Sequence, residues 1–436
     1  MKDVVDIFCV TRRAMMGAAV ASAAMPAIIR AAEVLPRPTE AYRAIRYASA
    51  ARFGASEHVA FEEKMALADR GPVGPQFRSR LAFALGEQAP LPQDEHCQYL
   101  SVFTPARTGK RPVIVFLHGG AFVSGGGELP WYDGDALAAE QDVVVVAVTY
   151  RLGALGYWLP EGSSGPSPAM SDQIAALRWV QANIAGFGGD PANVTLAGQS
   201  AGSASAMQLI DWGHGGTLFH RIIAMSGGRQ RAVREALEGN SRAFDKLLGK
   251  DPRDASVFEI LAAQRQLPVA GADREHTWQP VRPDRKAVIN VDVMTGWTRE
   301  DPGAGMAMAA GGRPVPGTPL GPYREANRPQ IAAATAYAQE VAAAGRKAFL
   351  YSFDWNGPDT GLGNCHCIDL SFLFGSRTAW EEAPMLRGTN WADHGRLARA
   401  MRAHWGAFAR SGDPNPGGSG VWAPVSRAAA PIFSLA

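Results

Sequence analysis

The hydrophobic and polar positions of this chain predict strands that alternate with helices. Val113–Leu117 and Val143–Tyr150 are continuous apolar runs rich in β-branched residues, which is typical of strands buried on both faces. Ser171–Ala185 has apolar residues at helical spacing and precedes a Gly-Gly-Asp-Pro turn. Val194–Ala197 predicts the next strand, and Ala201–Ile210 predicts the next helix. This alternation indicates an α/β protein with a mostly parallel sheet covered on both faces.

The second half of the chain continues this pattern at lower density. Val291–Thr295 and Ala348–Phe353 predict two late strands, and Leu397–Arg410 has the periodicity of a helix. Gly303–Tyr323 is rich in glycine and proline, so we interpret it as a loop. No internal repeat or interdomain linker is visible. We therefore predict one domain over residues 33–436.

The first 32 residues differ from the rest and have the features of an export signal. Arg12 and Arg13 precede the apolar stretch Ala14–Ala24, and small residues lie just before Glu33. A charged head, a short apolar stretch and a small-residue cleavage site make a secretory signal, and paired arginines are typical of the twin-arginine type. The apolar run is too short for a membrane anchor, and Pro26 interrupts it. We predict a signal peptide over residues 1–32 and an exported protein, periplasmic or secreted.

Composition and charge exclude several classes of function. Hydrophobic residues make up 47% of the 436 residues, which is enough for a large core. The formal net charge is +2, and the first 32 residues alone carry four basic and two acidic side chains. The remaining chain is therefore near neutral and lacks the basic balance typical of a nucleic-acid partner. It also lacks a long apolar segment for stable membrane insertion. The oligomeric state is left open.

The cysteines predict neither a disulfide framework nor a metal centre. The chain contains four, at Cys9, Cys97, Cys365 and Cys367. Cys9 lies in the signal segment, so an odd number remains afterwards. Cys365 and Cys367 are too close in sequence for an ordinary bridge, and His366 between them supplies too few further ligands for a metal.

One pentapeptide fits the arrangement of an activated serine. Gly198-Gln199-Ser200-Ala201-Gly202 has the form G-x-S-x-G, with a predicted strand before it and a predicted helix after it. A sharp strand-to-helix turn of this kind projects the serine hydroxyl from the edge of a sheet, and the glycines let the backbone make the turn. We therefore predict Ser200 as a nucleophile.

A second glycine-rich segment suits the stabilisation of an oxyanion. His118-Gly119-Gly120-Ala121-Phe122 follows the strand Val113–Leu117, where the oxyanion loop of such folds lies. A dinucleotide-binding loop would need a helix immediately after the glycines. Here Glu128-Leu129-Pro130-Trp131 follows instead, so we favour the oxyanion loop.

The general base should be a histidine that follows Ser200. In folds with a nucleophile elbow the chain order is nucleophile, acid, histidine, so we interpret His118 as a residue that orients its loop. The histidines after the elbow are His214, His220, His276, His366, His394 and His404. His366 lies among glycine and small residues beyond a predicted strand. The local pattern favours it only slightly over His394.

Further segments of the chain resemble the type-B carboxylesterases, the family of cholinesterases and bacterial p-nitrobenzyl esterases. The matching segments are Arg46-Tyr47-Ala48, Glu95–Val102, Tyr150–Gly153, Asp172-Gln173, Phe187–Pro191, Ser226-Gly227 and Gly412–Asn415. The resemblance implies an α/β-hydrolase fold. The chain is shorter than typical members between Gly227 and His366, so the lid region should be reduced and the substrate does not carry over.

The resemblance also implies the roles of several residues. Ser200 would be the nucleophile and His366 the base. The oxyanion-hole residues that it implies are Gly119, Gly120, Ala121 and Ala201. Gln199 stands where the family often has glutamate, which removes a negative charge and weakens the case for a choline-like substrate. No metal or organic cofactor is required.

The acid of the predicted triad departs from the family pattern. The family segment usually reads G-x-x-x-D-E-G, whereas Gly296–Pro302 reads G-W-T-R-E-D-P. Asp301 has the family's catalytic position but is one methylene shorter. Glu300 reaches farther and is the alternative acid; its other interpretation is a solvated surface charge. Asp369 lies in a segment expected to lead away from the site. We favour Asp301 over Glu300.

The resemblance implies two ion pairs in the scaffold. Arg52 should pair with Glu95, and Arg151 should pair with Asp172. These pairs would fix loops beneath the strand that precedes the oxyanion loop.

These residues predict hydrolysis of small-molecule carboxylic esters through an acyl-enzyme. An amidase with the same triad is an alternative, because the sequence does not separate amide from ester cleavage. A non-catalytic exported binding protein is a second alternative, because the family includes adhesion proteins that have lost the triad.

Overall fold

The structure, a computed structural model, describes residues 38–62, 69–229, 232–268, 276–284, 287–312 and 314–436. The predicted signal peptide over residues 1–32 lies outside the described residues.

The described residues form eleven strands, most of which belong to a central sheet. They are β1 (Glu40–Arg46), β2 (Ala48–Ala50), β3 (Ser56–His58), β4 (Tyr99–Thr104), β5 (Arg111–Leu117), β6 (Val144–Val148), β7 (Gly189–Gln199), β8 (Arg221–Met225), β9 (Asp292–Thr298), β10 (Ala348–Phe353) and β11 (Ile432–Leu435).

Nine of these strands form one sheet whose strand order differs from their order in the sequence, and β2 and β3 form a small antiparallel pair. The order across the large sheet is β1-β4-β6-β5-β7-β8-β9-β10-β11. From β6 to β11 every neighbouring pair is parallel, and only β4 runs against its neighbours β1 and β6. The predicted mostly parallel sheet is therefore confirmed.

Helices connect the strands. They are α1 (Ala82–Leu85), α2 (Asp135–Gln141), α3 (Gly153–Tyr157), α4 (Pro168–Asn183), α5 (Ala201–Asp211), α6 (Arg234–Leu248), α7 (Val257–Arg265), α8 (Gly303–Ala309), α9 (Gly321–Ala343), α10 (Leu370–Phe374), α11 (Arg377–Trp380) and α12 (Trp391–Ser411). Short 3₁₀ helices also occur, and one of them, Ile184–Phe187, directly follows α4.

The core lies on both faces of the sheet. Along β5, the side chains of Val113, Val115 and Leu117 belong to one buried cluster, and those of Ile114 and Phe116 belong to another. Successive side chains of a strand point to opposite faces, so the two clusters are the two faces. Residues of α4, α5 and α9 join the first cluster, and residues of α2, α10 and α12 join the second. This two-sided burial explains the continuous apolar runs in the sequence.

The strand predictions around the site agree with the structure, and two others need correction. The predicted loop Gly303–Tyr323 contains the helix α8 at its start and the first residues of α9 at its end. Alanine and methionine favour helices, and α8 buries Ala304 and Ala307, which outweighs its glycines. The predicted Gly-Gly-Asp-Pro turn is also wrong in part, because β7 begins at Gly189 and only Gly188 has a left-handed backbone.

Candidate active site

The predicted site residues meet at one edge of the sheet. The strands β5, β7, β9 and β10 run parallel within the order β5-β7-β8-β9-β10. The predicted oxyanion loop follows β5, Ser200 follows β7, Glu300 and Asp301 follow β9, and the loop with His366 follows β10. The carboxyl ends of parallel strands share an edge, and open α/β sheets bind ligands there.

Ser200 occupies the sharp turn between β7 and α5. Its backbone has φ 56° and ψ −119°, an unusual conformation for a residue with a side chain. Its N–H donates to the carbonyl of Met225 at the end of β8, 2.8 Å away. A side chain at Gly202 would place its Cβ 1.9 Å from the carbonyl oxygen of Leu117, so only glycine lets α5 approach β5 this closely. The backbone therefore fixes the position of the serine.

The loop after β5 packs directly against this turn. A Cβ at Gly119 would lie 2.6 Å from Oε1 of Gln199 and 3.0 Å from Cβ of Ser200. Ala121 and Phe122 both have left-handed backbones, with φ 52° and 63°. Consecutive non-glycine residues in this region are held there by the surrounding structure. The loop is thus held in a strained conformation beside Ser200.

His118 supports this loop, as the sequence indicated. It is fully buried, and burial lowers its pKa to about 4, so its ring is neutral near pH 7. Its Nδ1 lies 2.7 Å from the carbonyl oxygen of Gly119, to which it donates. The ring stacks on Tyr150 at a centroid distance of 4.3 Å, and the Tyr150 hydroxyl donates to the His118 carbonyl at 2.6 Å.

Two backbone N–H groups of this loop are available to bind a ligand. Within the described part of the chain, the N–H groups of Gly120 and Ala121 donate to no protein acceptor. Ala201 opens α5, a helix of eleven residues, so its N–H lies at the positive end of the helix dipole. Unused N–H groups beside a nucleophile suit an anionic oxygen.

His366 and Asp301 form a hydrogen-bonded pair. Nδ1 of His366 lies 2.7 Å from Oδ1 of Asp301, and the His366 N–H donates to the Asp301 carbonyl at 3.1 Å. The second carboxylate oxygen of Asp301 accepts the N–H and hydroxyl of Thr298, at 3.3 and 3.1 Å. The carboxylate is thereby aimed at the imidazole from the turn that ends β9.

The pair perturbs the ionisation of both residues. Burial alone would raise the pKa of Asp301, but the charge and hydrogen bond of His366 outweigh it, so the pKa is lowered. Burial alone would lower the pKa of His366, but Cys367 and the Asp301 carboxylate raise it well above its usual range. A carboxylate that stabilises the imidazolium and leaves Nε2 free is what a general base needs.

Nε2 of His366 points at the elbow. It lies 3.3 Å from Nε2 of Gln199, the residue before Ser200. In the neutral imidazole with its proton on Nδ1, Nε2 accepts the amide N–H of Gln199, whereas in the imidazolium Nε2 carries a proton of its own. Among the hydrogen bonds of the described residues, none joins Ser200 Oγ to His366, and such bonds often tighten only when substrate binds.

Glu300 is not a solvated surface charge, which corrects one interpretation of the sequence. Its side chain is fully buried. Its carboxylate accepts the backbone N–H of Asn364 at 2.8 Å and the Nε groups of Arg299 and Arg324 at 2.9 and 2.6 Å. It therefore contacts the loop that carries His366 rather than the imidazole.

The alternative base His394 lies elsewhere. Its ring stacks on Phe372 at 3.9 Å, and its Nε2 lies 3.1 Å from the hydroxyl of Ser371. Burial lowers its pKa to about 4. Its contacts are those of a core histidine.

Asp369 does not lead away from the site as far as the sequence suggested. It is fully buried, and no side chain among the described residues donates a hydrogen bond to its carboxylate. Burial, together with the charge of nearby Asp301, raises its pKa to about 7. It is a second carboxyl group behind the pair of Asp301 and His366.

Gln76, which no sequence pattern indicated, supports the predicted oxyanion loop. Its amide nitrogen donates to the carbonyl of Gly125 at 2.7 Å, and its amide oxygen accepts the Gly125 N–H at 2.7 Å. These two bonds join segments 49 residues apart. No local pattern marks a glutamine for such a contact.

The two predicted scaffold pairs are confirmed. Nε of Arg52 lies 2.7 Å from Glu95, and their side chains are partly exposed. Arg151 and Asp172 are buried, with Nη2 2.8 Å from Oδ1 and Nε 2.9 Å from Oδ2. Asp172 lies in α4, so the buried pair joins that helix to the chain after β6.

The described residues contain neither a disulfide nor a candidate metal cluster. The cysteines Cys97, Cys365 and Cys367 are all free and buried. No group of three or more His, Cys, Asp or Glu side chains in the described ranges could hold a metal ion. None of the helices in these ranges is long and apolar enough to cross a membrane.

Two surface cavities are lined by other residues. Their volumes are about 210 and 390 Å³, and both are lined by Arg52 and Phe53. Neither is lined by Ser200, Asp301 or His366, so the chemistry of the strand ends, rather than cavity size, locates the candidate site.

Known proteins share this sequence and this fold. A model of the carboxylesterase family matches residues 30–293 and 328–436. A probable N-octanoylanthranilate hydrolase of Rhodococcus erythropolis is 34% identical over 415 residues, which cover 85% of this chain and 89% of that protein. The para-nitrobenzyl esterase of Bacillus subtilis (strain 168) is 30% identical over 397 residues, covering 79% and 80%. A solved PNB esterase has a TM-score of 0.77 at 25% identity, covering 91% of this chain and 92% of its own. Each likeness extends over most of both chains.

Proposed function

Because this chain belongs to the carboxylesterase family and is a hydrolase of carboxylic ester bonds, we propose that it works through an acyl-enzyme on Ser200. In this proposal His366 is the general base and Asp301 is the acid. The resemblance to type-B carboxylesterases and the α/β-hydrolase fold are the confirmed premises.

The observation that carries the proposal is the orientation of His366. Its Nδ1 is held by Asp301 at 2.7 Å, while its Nε2 faces the residue before Ser200. When an ester binds, Nε2 exchanges the Gln199 amide for the Ser200 hydroxyl. It takes the hydroxyl proton as Oγ attacks the ester carbonyl, and the imidazolium then gives that proton to the leaving alcohol. Water hydrolyses the acyl-enzyme through the same groups.

The oxyanion of each tetrahedral intermediate would be held by backbone donors. The N–H groups of Gly120 and Ala121 have no protein acceptor in the described residues, and that of Ala201 adds the dipole of α5. Gly119 keeps the loop close to Ser200 because a side chain there would collide with Gln199.

The test combines turnover with covalent trapping. Purified protein should hydrolyse a short-chain p-nitrophenyl ester, and a fluorophosphonate should add one label, located by peptide mass spectrometry on Ser200. Ser200→Ala should lose about 10⁴–10⁶ in turnover and retain its circular dichroism and melting temperature. Retention of more than a tenth of the activity, or a label on another serine, would contradict the proposal.

A second candidate activity is hydrolysis of N-acyl aromatic amines. One observation favours it: the relative from R. erythropolis is named as a probable hydrolase of N-octanoylanthranilate, an N-acyl compound. The same nucleophile and oxyanion donors serve amide cleavage, provided that His366 protonates the leaving nitrogen.

A matched pair of substrates separates the two activities. p-Nitrophenyl octanoate and octanoyl p-nitroanilide differ in the atom that leaves, oxygen or nitrogen. Comparable kcat/KM for both would assign amide hydrolysis as well. Turnover of the ester alone would restrict the protein to esters.

A further inference from the structure

We infer that Glu300 is a positioning residue that holds the loop of His366 in register with Asp301. Two hydrogen bonds join Glu300 to Asn364, two residues before His366. The Glu300 N–H donates to the Asn364 carbonyl at 3.0 Å, and the Asn364 N–H donates to Oε2 of Glu300 at 2.8 Å. The His366 N–H then donates to the Asp301 carbonyl at 3.1 Å. The two segments therefore pair as short strands do, with one backbone acceptor replaced by a side chain.

The carboxylate of Glu300 is well suited to this contact because it is buried and forms ion pairs with two arginines. Its side chain is fully buried, whereas those of Arg299 and Arg324 are 32% and 51% exposed. Oε1 accepts both arginines, which leaves Oε2 for the Asn364 N–H. A buried charge persists only when it is paired and hydrogen-bonded. Arg324 belongs to α9, so one carboxylate joins the end of β9, the helix α9 and the loop with His366.

The loop is also fixed at its start by the side chain of Asn364. Its amide nitrogen donates to the carbonyl of Trp355 at 2.9 Å, close to the end of β10. Asn364 is thus held by its backbone to Glu300 and by its side chain to the strand end. These contacts hold the backbone just before His366, and Asp301 orients the imidazole.

Asp301 and Glu300 therefore position His366 together, each through a different contact. Asp301 touches the imidazole, and Glu300 touches the backbone that carries it. This division explains the inverted acidic order, because the longer glutamate reaches Asn364 while the shorter aspartate is brought to His366 by the Thr298 turn. The inference rests on the proposed function, in which His366 is the base.

Two substitutions of Glu300 test this role, because they change its length and its charge separately. Glu300→Gln keeps an oxygen at the length needed by the Asn364 N–H but removes the charge. Its amide nitrogen cannot accept from Arg299 and Arg324, whose partly exposed side chains can turn to solvent. Glu300→Asp keeps the charge but withdraws the oxygen by one methylene. If Glu300 positions the loop, Glu300→Asp should lower kcat more than Glu300→Gln does, by up to about 10²-fold for a displacement near 1 Å. KM should change far less than kcat in both.

The same variants give a spectroscopic signal that a purely stabilising residue would not move. The Nδ1 proton between His366 and Asp301 should give a low-field proton resonance, which Glu300→Asp should shift or broaden and Glu300→Gln should preserve. Glu325→Asp and Glu325→Gln are the matched controls, because Glu325 is an exposed residue of the same helix as Arg324 and pairs only with Arg328 among the described residues. Both controls should behave as the unmodified protein.

Three results would overturn the inference. They are a Glu300→Asp variant at least as active as Glu300→Gln, a lowered melting temperature with kcat and the low-field resonance unchanged, and equal effects at positions 300 and 325. His366→Ala is assayed in parallel to keep the two hypotheses apart. An active His366→Ala would refute the proposed base and this inference with it, whereas an inactive His366→Ala beside a fully active Glu300→Asp would refute only the role of Glu300.

Discussion

At the residue scale, the site shows that a carboxylate's task is set by what its oxygens contact. Asp301, Glu300 and Asp369 are all buried within one small region. Asp301 faces an imidazole, Glu300 faces two arginines and a backbone N–H, and Asp369 faces no side-chain donor among the described residues. The sequence placed the first two side by side and favoured Asp301 on its family position, although side-chain length favoured Glu300.

Asp301→Asn should remove most of the activity without unfolding the protein. The amide no longer stabilises the imidazolium and can hold the wrong tautomer of His366, and such a change costs about 10⁴-fold in kcat in a triad enzyme. Steady-state kinetics with a p-nitrophenyl ester would measure the loss, with Asp393→Asn as a control at an exposed aspartate. An Asp301→Asn variant within tenfold of the unmodified protein would move the acid to another carboxylate.

Asp369 should make the folded protein less stable as the pH rises. Its pKa is raised to about 7 in the folded protein by burial and by Asp301, whereas an unperturbed aspartate has a pKa of about 4. The unfolded chain ionises first, so stability falls between these two values, by up to about 4 kcal/mol above the folded pKa. Asp369→Asn should lack this decline.

Urea unfolding at pH 5 and pH 8 would test this. The free energy of unfolding of Asp369→Asn, relative to that of the unmodified protein, should be higher at pH 8 than at pH 5. Glu325→Gln serves as an exposed control whose relative stability should not change with pH. Parallel pH dependence of Asp369→Asn and the unmodified protein would show that Asp369 is not the group responsible.

At the element scale, periodicity predicted the elements that the core requires and missed those decided by contacts. The strands β5, β6, β9 and β10 were predicted because burial on both faces demands continuous apolar residues. The helix α8 was missed because its glycines indicate a loop, whereas the burial of Ala304 and Ala307 is a tertiary effect. The support of the oxyanion loop by Gln76 was missed for the same reason, since its partner lies far away in sequence.

Breaking the buried pair between α4 and the chain after β6 should cost far more than breaking the exposed one. Asp172→Asn leaves Arg151 buried without a countercharge, which should lower the free energy of unfolding by about 3–5 kcal/mol. Glu95→Gln disrupts the partly exposed pair with Arg52 and should cost at most about 1 kcal/mol.

Denaturant unfolding of the two variants provides the comparison. A double variant, Arg151→Met with Asp172→Leu, should regain part of the loss because no charge is then left unpaired. Equal losses in Asp172→Asn and Glu95→Gln would mean that the buried pair is not a structural anchor.

At the scale of the whole molecule, the fold and the ester chemistry could be read from the sequence, because ordered motifs recur at strand ends. Substrate preference could not, since it depends on side chains brought together from segments distant in sequence. The proposed export also belongs to this scale. It rests on residues 1–32 alone.

Export should depend on the paired arginines. Exchanging Arg12 and Arg13 for lysine should retain the precursor in the cytoplasm, whereas the matched control Arg30→Lys should be exported normally. Intact mass of the exported protein should give an N-terminus between Ala24 and Glu33. An exported protein that still carries residues 1–32 would refute the signal-peptide prediction.

The placement of the candidate groups at the ends of β5, β7, β9 and β10 has a consequence for how such a protein can change over time. The stretches 226–291 and 302–347 lie between these strand ends and carry none of the groups proposed to act on the ester. Mutation of these stretches outside Arg324, which pairs with Glu300, can alter which molecules are accepted while the reaction itself is inherited intact. The residues proposed for ester cleavage are encoded apart from most of these two stretches. A lineage with this layout can therefore acquire new substrates while it keeps the same catalytic residues.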